Sequence, residues 1–388
     1  MRARILFLSF ALFACSSSAP QQTDTGNPPI DTPPADTPPP ACDPGTYRNG
    51  DTGVCQPFAA LTVTRSSQQI APVRDHHSAE VITTSDGPYL YVLGGTDAWQ
   101  SIYDDIQRAK IHDDGTLDPF QKIGSLPAPR AGQCMTRLDD AGTRWLVAGG
   151  LVQGTGGKIT FSNTTLVVRF DAAGNVAGID DGPALPLGVM HLTCDTSNGY
   201  VYAMGGRGSD SKSTTMSARA KIAADGSLGA FESQTKLSPD RSHHAAFIRK
   251  NRIYLVGGLT GDPVGNNAVS HADCVFAEID DSGVVGAWKP AGKLPVTLDV
   301  SSAQLYEDAV YTLGGIADDS LAFTNTIRRA TFNDDGTLSK FDTLPTTLPD
   351  DRGHVHDTPM WKSFMFSAAG QNDSGDSIGT VDVLHFGS

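Results

Sequence analysis

Basic residues are scarce in this chain of 388 residues, which has 29 Lys and Arg against 43 Asp and Glu and a formal net charge of −14. An acidic field of this size repels phosphate backbones, so nucleic acid is not an expected partner. Long apolar runs are also scarce, and the run from Ile5 to Ala14 is too short to span a bilayer as a mature helix. Aromatic residues make up only 7%, whereas 41 glycines and 24 prolines favour short strands joined by tight turns. The composition therefore predicts an all-β fold.

The N-terminal segment predicts export. Arg2 and Arg4 precede the apolar run, which is the layout of a secretory signal peptide. The run ends in the letters LFAC, with Cys15 last, and this resembles the lipobox of bacterial lipoproteins, although the bulky Phe13 stands where that motif usually has a small residue. The resemblance implies a signal peptide over residues 1–14 and a lipid anchor on Cys15, with an ordinary cleaved signal as the alternative. Because Ser16 and not aspartate follows, it also implies the outer membrane or the cell surface.

Residues 15–41 are predicted to comprise the lipidated cysteine and a disordered linker rich in Pro, Thr and Asp. From Ser16 to Ala41 there is no Lys or Arg, and Ile30 is the single branched aliphatic residue. Such a segment cannot bury a core and favours extended polyproline geometry. At about 3.1 Å per residue it would hold a folded domain up to roughly 80 Å from the lipid.

The chain contains an internal repeat. Six apolar strands end in two small residues, and the second of these is Gly95, Gly150, Gly206, Gly258, Gly315 or Gly370. These glycines are separated by 55, 56, 52, 57 and 55 residues, a period typical of propeller blades. After each of the first five pairs come a polar loop, a strand, a Gly-bearing turn and another strand, and a further strand precedes each pair. Four strands per unit predict one blade of a β-propeller per unit.

This pattern resembles the kelch family, whose blades carry a Gly-Gly doublet after the second strand and an aromatic residue at the start of the fourth. The resemblance extends from Pro57 to the C-terminus. Five residues after the successive turn glycines, the aromatic position is occupied by Phe120, Ile179, Phe231, Trp288 and Phe341, of which Ile179 departs from the pattern. The resemblance implies a six-bladed kelch-like β-propeller over residues 42–388.

The two ends of the repeat region are complementary. The sixth unit stops after its third strand, Thr380 to Phe386, which leaves one strand missing. Gly53 to Phe58 reproduces the five-residue step from turn glycine to aromatic residue, and Leu61 to Thr64 continues as an alternating strand. We therefore expect the N-terminal strand to complete blade six.

Six cysteines are present. With Cys15 lipidated, Cys42 and Cys55 form the obvious local pair in an oxidising compartment, and a disulfide there would anchor the linker to the domain. Cys134 and Cys194 lie near the starts of successive inner strands and are candidates for a second pair. Cys274 is expected to be a buried small apolar residue.

Histidine and arginine are concentrated where the chain enters the inner strands. The candidate ligand-binding residues at these positions are Arg74, His77, Arg130, Arg241, His244, Arg352 and His354. Together they could form a cationic pocket that favours a carboxylate, a sulfate or an acidic sugar. The alternative is that they belong to the repeat itself and bond to the carbonyls of neighbouring blades. The long polar loops nearby carry Trp99, Tyr103, Phe161 and Phe323, which could stack on a sugar or peptide or pack on their own blade.

The sequence shows no recognisable set of catalytic residues, so we predict none. No cofactor and no metal are predicted, because the histidines come from separate blades without paired ligand spacing. The expected function is a surface-tethered, monomeric, non-catalytic module that binds a protein or glycan at its loop face and touches the membrane only through the anchor. The alternative is a carbohydrate-active enzyme, since a bacterial sialic acid mutarotase resembles this domain in size and repeat type.

Overall fold

The computed structural model describes Cys42 and residues 46–49, 52–263, 267–318 and 322–387. The segments predicted to be a signal peptide and a linker, with the predicted lipid anchor Cys15, lie outside these residues. The described chain is all-β, with one 3₁₀ turn at Thr155–Gly157 and no α-helix among the described residues. None of its helical segments could therefore cross a membrane.

Six four-stranded antiparallel sheets make up most of the described structure, and in sheets 1 to 5 the strands pair in chain order. From first to fourth strand they are Ser78–Thr84, Gly87–Leu93, Asp105–Lys110 and Gln121–Ser125 in sheet 1; Cys134–Arg137, Arg144–Ala148, Thr165–Phe170 and Val176–Asp181 in sheet 2; Thr193–Ser197, Tyr200–Met204, Ser217–Lys221 and Glu232–Ser233 in sheet 3; Ala245–Arg249, Arg252–Val256, Asp273–Glu278 and Lys289–Lys293 in sheet 4; Ser302–Tyr306, Ala309–Leu313, Thr326–Thr331 and Asp342–Thr347 in sheet 5; and Met360–Trp361, Phe364–Gln371, Ser377–Gly387 and Ala60–Gln69 in sheet 6.

Short strands in the connecting segments form smaller sheets. They are Thr46–Arg48 with Cys55–Pro57, Thr96–Asp97 with Ser101–Ile102, Arg130–Ala131 with Leu151–Gln153 and Ile159–Phe161, Val189–Met190 with Arg207–Gly208, Leu259–Thr260 with Val269–Ser270, and Leu298–Asp299 with Ile316–Ala317.

Sheet 6 joins the two ends of the described chain. Its fourth strand, Ala60–Gln69, runs antiparallel to Ser377–Gly387, with Ala60 opposite Gly387 and Thr64 opposite Val383. The strand that the sixth repeat lacks is thus supplied from the N-terminal side, as the spare copy of the turn-to-aromatic step predicts.

The apolar core is divided among six clusters of buried residues. Five of them lie between consecutive sheets, and the sixth lies between sheet 6 and sheet 1. In that last cluster Val81 and Leu90 of sheet 1 are grouped with Phe366 and Val383 of sheet 6. Each sheet therefore buries both of its faces, which is why the second strands read as nearly continuous apolar runs.

The small-residue pairs after the second strands have the backbone geometry that glycine favours. All six pairs have positive φ, including Ala369, which replaces the first glycine in sheet 6, with φ 56°. A Cβ atom on Gly95 would lie 2.7 Å from the carbonyl oxygen of Asp75 and 2.9 Å from Cβ of His77. Glycine is required there because the next segment approaches its backbone too closely for any side chain.

The described residues contain two disulfides. Cys42 is bonded to Cys55, and Cys134 is bonded to Cys194, which links the first strands of sheets 2 and 3. Cys274 is a free, buried thiol in the core between sheets 4 and 5.

Candidate functional site

The four candidate arginines occupy equivalent places in the junctions that lead into the first strands. Each guanidinium donates to the carbonyl oxygen of the first residue of the small-residue pair in its own unit, namely Gly94, Gly149, Gly257 and Ala369. Arg74 also makes a two-pronged bond to Asp105, with both distances under 3.0 Å. Arg241 bonds to Asp273 at 2.9 Å, and Arg352 bonds to Asp382 at 2.7 Å. These bonds hold in place the segment that connects the fourth strand of one sheet to the first strand of the next.

The structure corrects the expectation of a cationic pocket built from these arginines. Arg74, Arg130, Arg241 and Arg352 are each at most 3% exposed. Their donors face carbonyls and carboxylates inside the junctions, so a ligand cannot reach them without breaking those bonds. The alternative drawn from the sequence, in which the arginines bond within the repeat, describes their contacts.

A second junction position places histidines side by side. His76, His191, His243 and His354 stand two residues after the positions of the repeat arginines, and all four have φ between 52° and 55°. The imidazole rings of His76 and His354 are stacked with centroids 4.0 Å apart, and those of His191 and His243 are stacked at 3.7 Å. Burial holds the pKa of each of these four histidines well below the usual 6.5, so they are neutral at neutral pH.

The backbone at this position forms a closed cycle. The peptide N–H of each of six residues donates to the carbonyl of the equivalent residue in the neighbouring unit, at 2.8 to 3.3 Å. In chain order the six residues are His76, Gly132, His191, His243, Val300 and His354, and His76 donates to His354. We call this set the junction ring.

His77 and His244 lie one residue further on and are also buried. Burial is the main cause that lowers the pKa of each to about 3, and the neighbouring Arg74 and Arg241 add to the effect. Nε2 of His244 lies 2.8 Å from the hydroxyl of Thr193. Neither imidazole can act as a cationic contact for a ligand at neutral pH.

Next to the junction ring lies a cavity of about 340 Å³ that we call the axial cavity. Its lining comes from the first strands of sheets 1 to 5 and from the segment that leads into sheet 6. The polar and charged side chains among its lining residues are Glu80, Thr136, Arg137, Asp195, Gln304, His356, Asp357 and Thr358. A smaller cavity of about 50 Å³, lined by His244, His354 and the Cys134–Cys194 disulfide, adjoins it through His356 and Asp357.

The carboxyl groups of the axial cavity have unusual surroundings. Burial raises the pKa of Asp357 to about 7, although its Oδ2 accepts a bond from the peptide N–H of Ala79 at 3.1 Å. Burial likewise raises the pKa of Asp195 to about 6 against bonds from the N–H groups of Thr196 and Ile248. Two carboxyl groups in one cavity can therefore change protonation near neutral pH.

Glu80 and Arg137 form the ion pair of the same cavity. Nη2 of Arg137 lies 2.7 Å from Oε1 of Glu80, and the arginine side chain is 38% exposed. Unlike the junction arginines, Arg137 can therefore contact a ligand. The lining of the axial cavity thus contains three carboxyl groups, those of Glu80, Asp195 and Asp357, and one guanidinium group, that of Arg137.

Sequence reasoning missed these residues because their local pattern is ordinary. Glu80 and Gln304 alternate with apolar neighbours, as in any half-buried strand, and Asp195 lies in a short polar strand between Cys194 and Thr196. Asp357 offered a signal, because the equivalent positions of the other units hold Ala79, Met135, Cys194, Ala246 and Ala303. An acid at a position that is otherwise apolar is a departure from the repeat that sequence analysis can detect.

The loop aromatics divide into packed and exposed residues. The guanidinium of Arg74 lies 5.0 Å from the ring centroid of Tyr103, and that of Arg207 lies 5.5 Å from the ring of Phe161. The ring of Phe323 lies 5.9 Å from His354. Trp99 is 42% exposed and its ring lies 4.6 Å from His76, so it forms part of the surface above the junction ring.

Comparisons with known proteins identify the fold. No protein-family model matches the chain, and no curated protein matches it by sequence. The chain is similar in structure to YjhT, with a TM-score of 0.62 and 11% sequence identity over 81% of this chain and 95% of YjhT. At this identity the similarity shows a common all-β fold of many small antiparallel sheets and nothing about activity.

Proposed function

We propose that residues 42–388 form a six-bladed kelch-like β-propeller whose sixth blade is completed by the N-terminal strand. Several observations support this proposal: six four-stranded sheets, six apolar clusters that include one between the last and the first sheet, and a cavity lined from all six sheets. The similarity to YjhT is compatible with it. In such a fold the first strands surround the axis, and ligands commonly bind at its mouth.

We further propose that the propeller is a carbohydrate-binding module and that the axial cavity is its site. The single observation that carries this proposal is the lining of that cavity, which combines carboxylates, a guanidinium and an amide from separate sheets. Sugar hydroxyls can donate to Glu80 and Asp195 and accept from Arg137 and Gln304. A volume of about 340 Å³ suits a small ligand better than a protein surface.

The charge of the cavity revises the expected ligand. The sequence suggested an acidic ligand, but the junction arginines are bonded internally and the axial cavity holds more carboxyl groups than guanidinium groups. A neutral sugar is favoured over a carboxylate or a sulfate, because an anion would meet Glu80 and Asp195 at short range.

A glycan array and a protein array probed with the purified protein test this proposal. We expect binding to a neutral glycan, and Arg137→Ala and Gln304→Ala should each weaken it about 3- to 30-fold, as expected for loss of one or two hydrogen bonds. Arg169→Ala is the control, since Arg169 pairs with Asp180 on the exposed fourth strand of sheet 2. Glycan binding that neither cavity variant weakens, or binding to proteins alone, would overturn the proposal.

A carbohydrate-active enzyme is the second candidate. The observation that favours it is the presence of Asp357 and Asp195 in one cavity with pKa values of about 7 and about 6. Such a pair can supply an acid and a base for opening a sugar hemiacetal, in which the base accepts the anomeric hydroxyl proton and the acid protonates the ring oxygen. The similarity in fold to YjhT is compatible with this class. Accelerated exchange between sugar anomers, measured by NMR and abolished in Asp357→Asn, would assign the protein to it.

We also propose that the protein is an exported lipoprotein, anchored through Cys15 to the outer membrane or the cell surface. The support is the LFAC sequence at the end of the apolar run and the proline-rich segment after it. Mass spectrometry of the mature N-terminus should find acyl chains on Cys15, and an unmodified N-terminus elsewhere would contradict the proposal.

A further inference from the structure

The junction ring brings together histidines that are far apart in the sequence. His76, His191 and His354 each offer one ring nitrogen, and these three atoms lie within 4.8 Å of one another. From the sequence we predicted no metal, because the histidines come from separate units of the repeat. That argument fails here, since the cycle of backbone bonds places all six junction positions on one ring, and the imidazoles of separate units meet there.

The cluster contains ring nitrogens without a partner. Nδ1 of His191 and Nδ1 of His354 are buried and have no hydrogen-bond partner among the described residues, and the same holds for Nε2 of the adjacent His356. The side chain of His191 is nearly fully buried, at 3% exposure. Buried polar atoms are normally paired, so several orphaned imidazole nitrogens at one place indicate a missing partner.

The surroundings of His76 resemble the outer shell of a metal site. Its Nδ1 contacts the carboxylate of Asp75, and the other carboxylate oxygen of Asp75 accepts a bond from the hydroxyl of Ser377 at 2.5 Å. A carboxylate that holds one ring nitrogen fixes the imidazole and leaves its other nitrogen free to bind a metal. Asp75 is itself fully buried, so this support is rigid.

The ligand atoms of the cluster are imidazole nitrogens, and this determines which metal ions it can bind. Neutral imidazoles are ligands for Zn²⁺, Cu²⁺ and Ni²⁺, whereas Ca²⁺ and Mg²⁺ require oxygen ligands. Nitrogens that share a tetrahedral zinc lie about 3.4 Å apart, so binding requires side-chain rotations that shorten the separations within the 4.8 Å set.

We propose that His76, His191 and His354 bind one late transition-metal ion, such as Zn²⁺, at the centre of the junction ring, with Asp75 as the positioning residue of His76. The site is independent of the carbohydrate proposal, because these residues do not donate to the ligand in the axial cavity. Its place on the backbone cycle gives the ion a structural role, since one ion would tie together three of the six units.

Titration of the full-length, tag-free protein with Zn²⁺ against a chromophoric chelator tests the proposal. We expect one ion per chain. Asparagine is the replacement of choice because it tolerates the positive φ of these positions. His191→Asn and His354→Asn should each weaken binding at least 100-fold, and Asp75→Asn should weaken it about 10- to 100-fold.

Val300→Asn is the matched control. It changes a ring position with the same backbone geometry, φ 48°, but removes no imidazole, so zinc affinity should stay within about twofold. Saturating Zn²⁺ should raise the Tm of the wild type and of Val300→Asn but not that of His191→Asn. Absence of stoichiometric binding to the wild-type chain would overturn the proposal even if a variant failed to fold. Zinc affinity in both histidine variants equal to that of the wild type would overturn it as well.

Trp99 supplies a readout independent of affinity. Its ring lies 4.6 Å from His76, so a bound Cu²⁺ should quench its fluorescence. The quenching should disappear in Trp99→Phe, which retains the three ligands. Quenching that persists in that variant at one equivalent of Cu²⁺ would locate the ion elsewhere and contradict the proposal.

Discussion

At the scale of single residues, three tyrosine hydroxyls fasten one sheet to the next. Tyr91, Tyr202 and Tyr254 lie on second strands just before the glycine pairs, and all three are buried. Their hydroxyls donate to the carbonyl oxygens of Gly174, Gly283 and Gly336 at 2.7 to 2.9 Å. Those glycines lie in the hairpin turns of the following sheet, which explains why a tyrosine recurs at this place in the repeat.

Tyr202→Phe should lower the free energy of unfolding by about 0.5 to 1.5 kcal/mol, because the carbonyl of Gly283 loses a buried donor. Tyr89→Phe is the matched control, since its hydroxyl bonds to Asp86 on the surface and its loss should change stability by less than about 0.5 kcal/mol. Urea unfolding of both variants measures the difference. Equal effects would show that the buried bond contributes nothing specific.

Asp357 makes stability depend on pH. Its folded pKa of about 7 exceeds its ordinary value of 3.8, so between about pH 4 and pH 7 the folded chain holds a proton that the unfolded chain has released. The stability from the protonated carboxyl is thus complete below pH 4 and is lost as the pH rises through 7. Asp357→Asn stays uncharged and should therefore gain stability relative to the wild type between pH 5 and pH 8, by an amount on the order of 2 to 4 kcal/mol.

Urea unfolding of the wild type and of Asp357→Asn at pH 5 and at pH 8 measures the difference in unfolding free energy between the two proteins at each pH. The buried histidines have the opposite dependence, since their lowered pKa values cost stability as the pH falls below about 6.5, but they are the same in both proteins and cancel. Asp180→Asn, at an exposed carboxylate paired with Arg169, serves as control. A stability difference that does not change with pH would contradict the raised pKa.

At the scale of elements, buried ion pairs connect the junctions between sheets to the strands. Asp382 shows this well, because it lies on the third strand of sheet 6 and bonds both to Arg352 from the junction and to Arg65 from the N-terminal strand. Its side chain is fully buried. One carboxylate thus connects three segments of the chain that are distant in sequence.

Arg352→Ala should lower the free energy of unfolding by about 3 to 5 kcal/mol, because it leaves Asp382 buried with one partner fewer. Arg169→Ala should cost no more than about 1 kcal/mol, since both members of that pair are exposed. Thermal and urea unfolding measure both variants. A ligand contact at Arg352 would instead give weaker binding at unchanged stability, which is the outcome that the buried position argues against.

At the scale of the whole molecule, the repeat predicts the strands and their pairing but not the candidate sites. The glycine pairs and the strand spacing gave the six units and the partner of the last strand, because those features act through local backbone geometry. The contacts of Arg74 and Arg241 could not be assigned, since a junction arginine satisfied by carbonyls has the same sequence pattern as one that faces a ligand. The histidine cluster was missed because its members approach one another only when the units are arranged around a common centre.

Completion of sheet 6 by the N-terminal strand determines how the molecule responds to truncation. The strand Ala60–Gln69 pairs with Ser377–Gly387, and Leu61 and Val63 pack on the apolar cluster between sheets 5 and 6. A chain that begins at residue 71 loses these ladder bonds and exposes the edge of Ser377–Gly387, whereas a chain that begins at residue 42 keeps them. We expect the first truncation to lower the Tm by about 10 °C or more and the second to leave it unchanged, where 1 kcal/mol corresponds to roughly 2 to 4 °C in domains of about 150–250 residues and to less in this larger one. Differential scanning calorimetry on the two chains decides the matter, because equal melting temperatures would mean that pairing of the N-terminal strand with Ser377–Gly387 does not stabilise the fold.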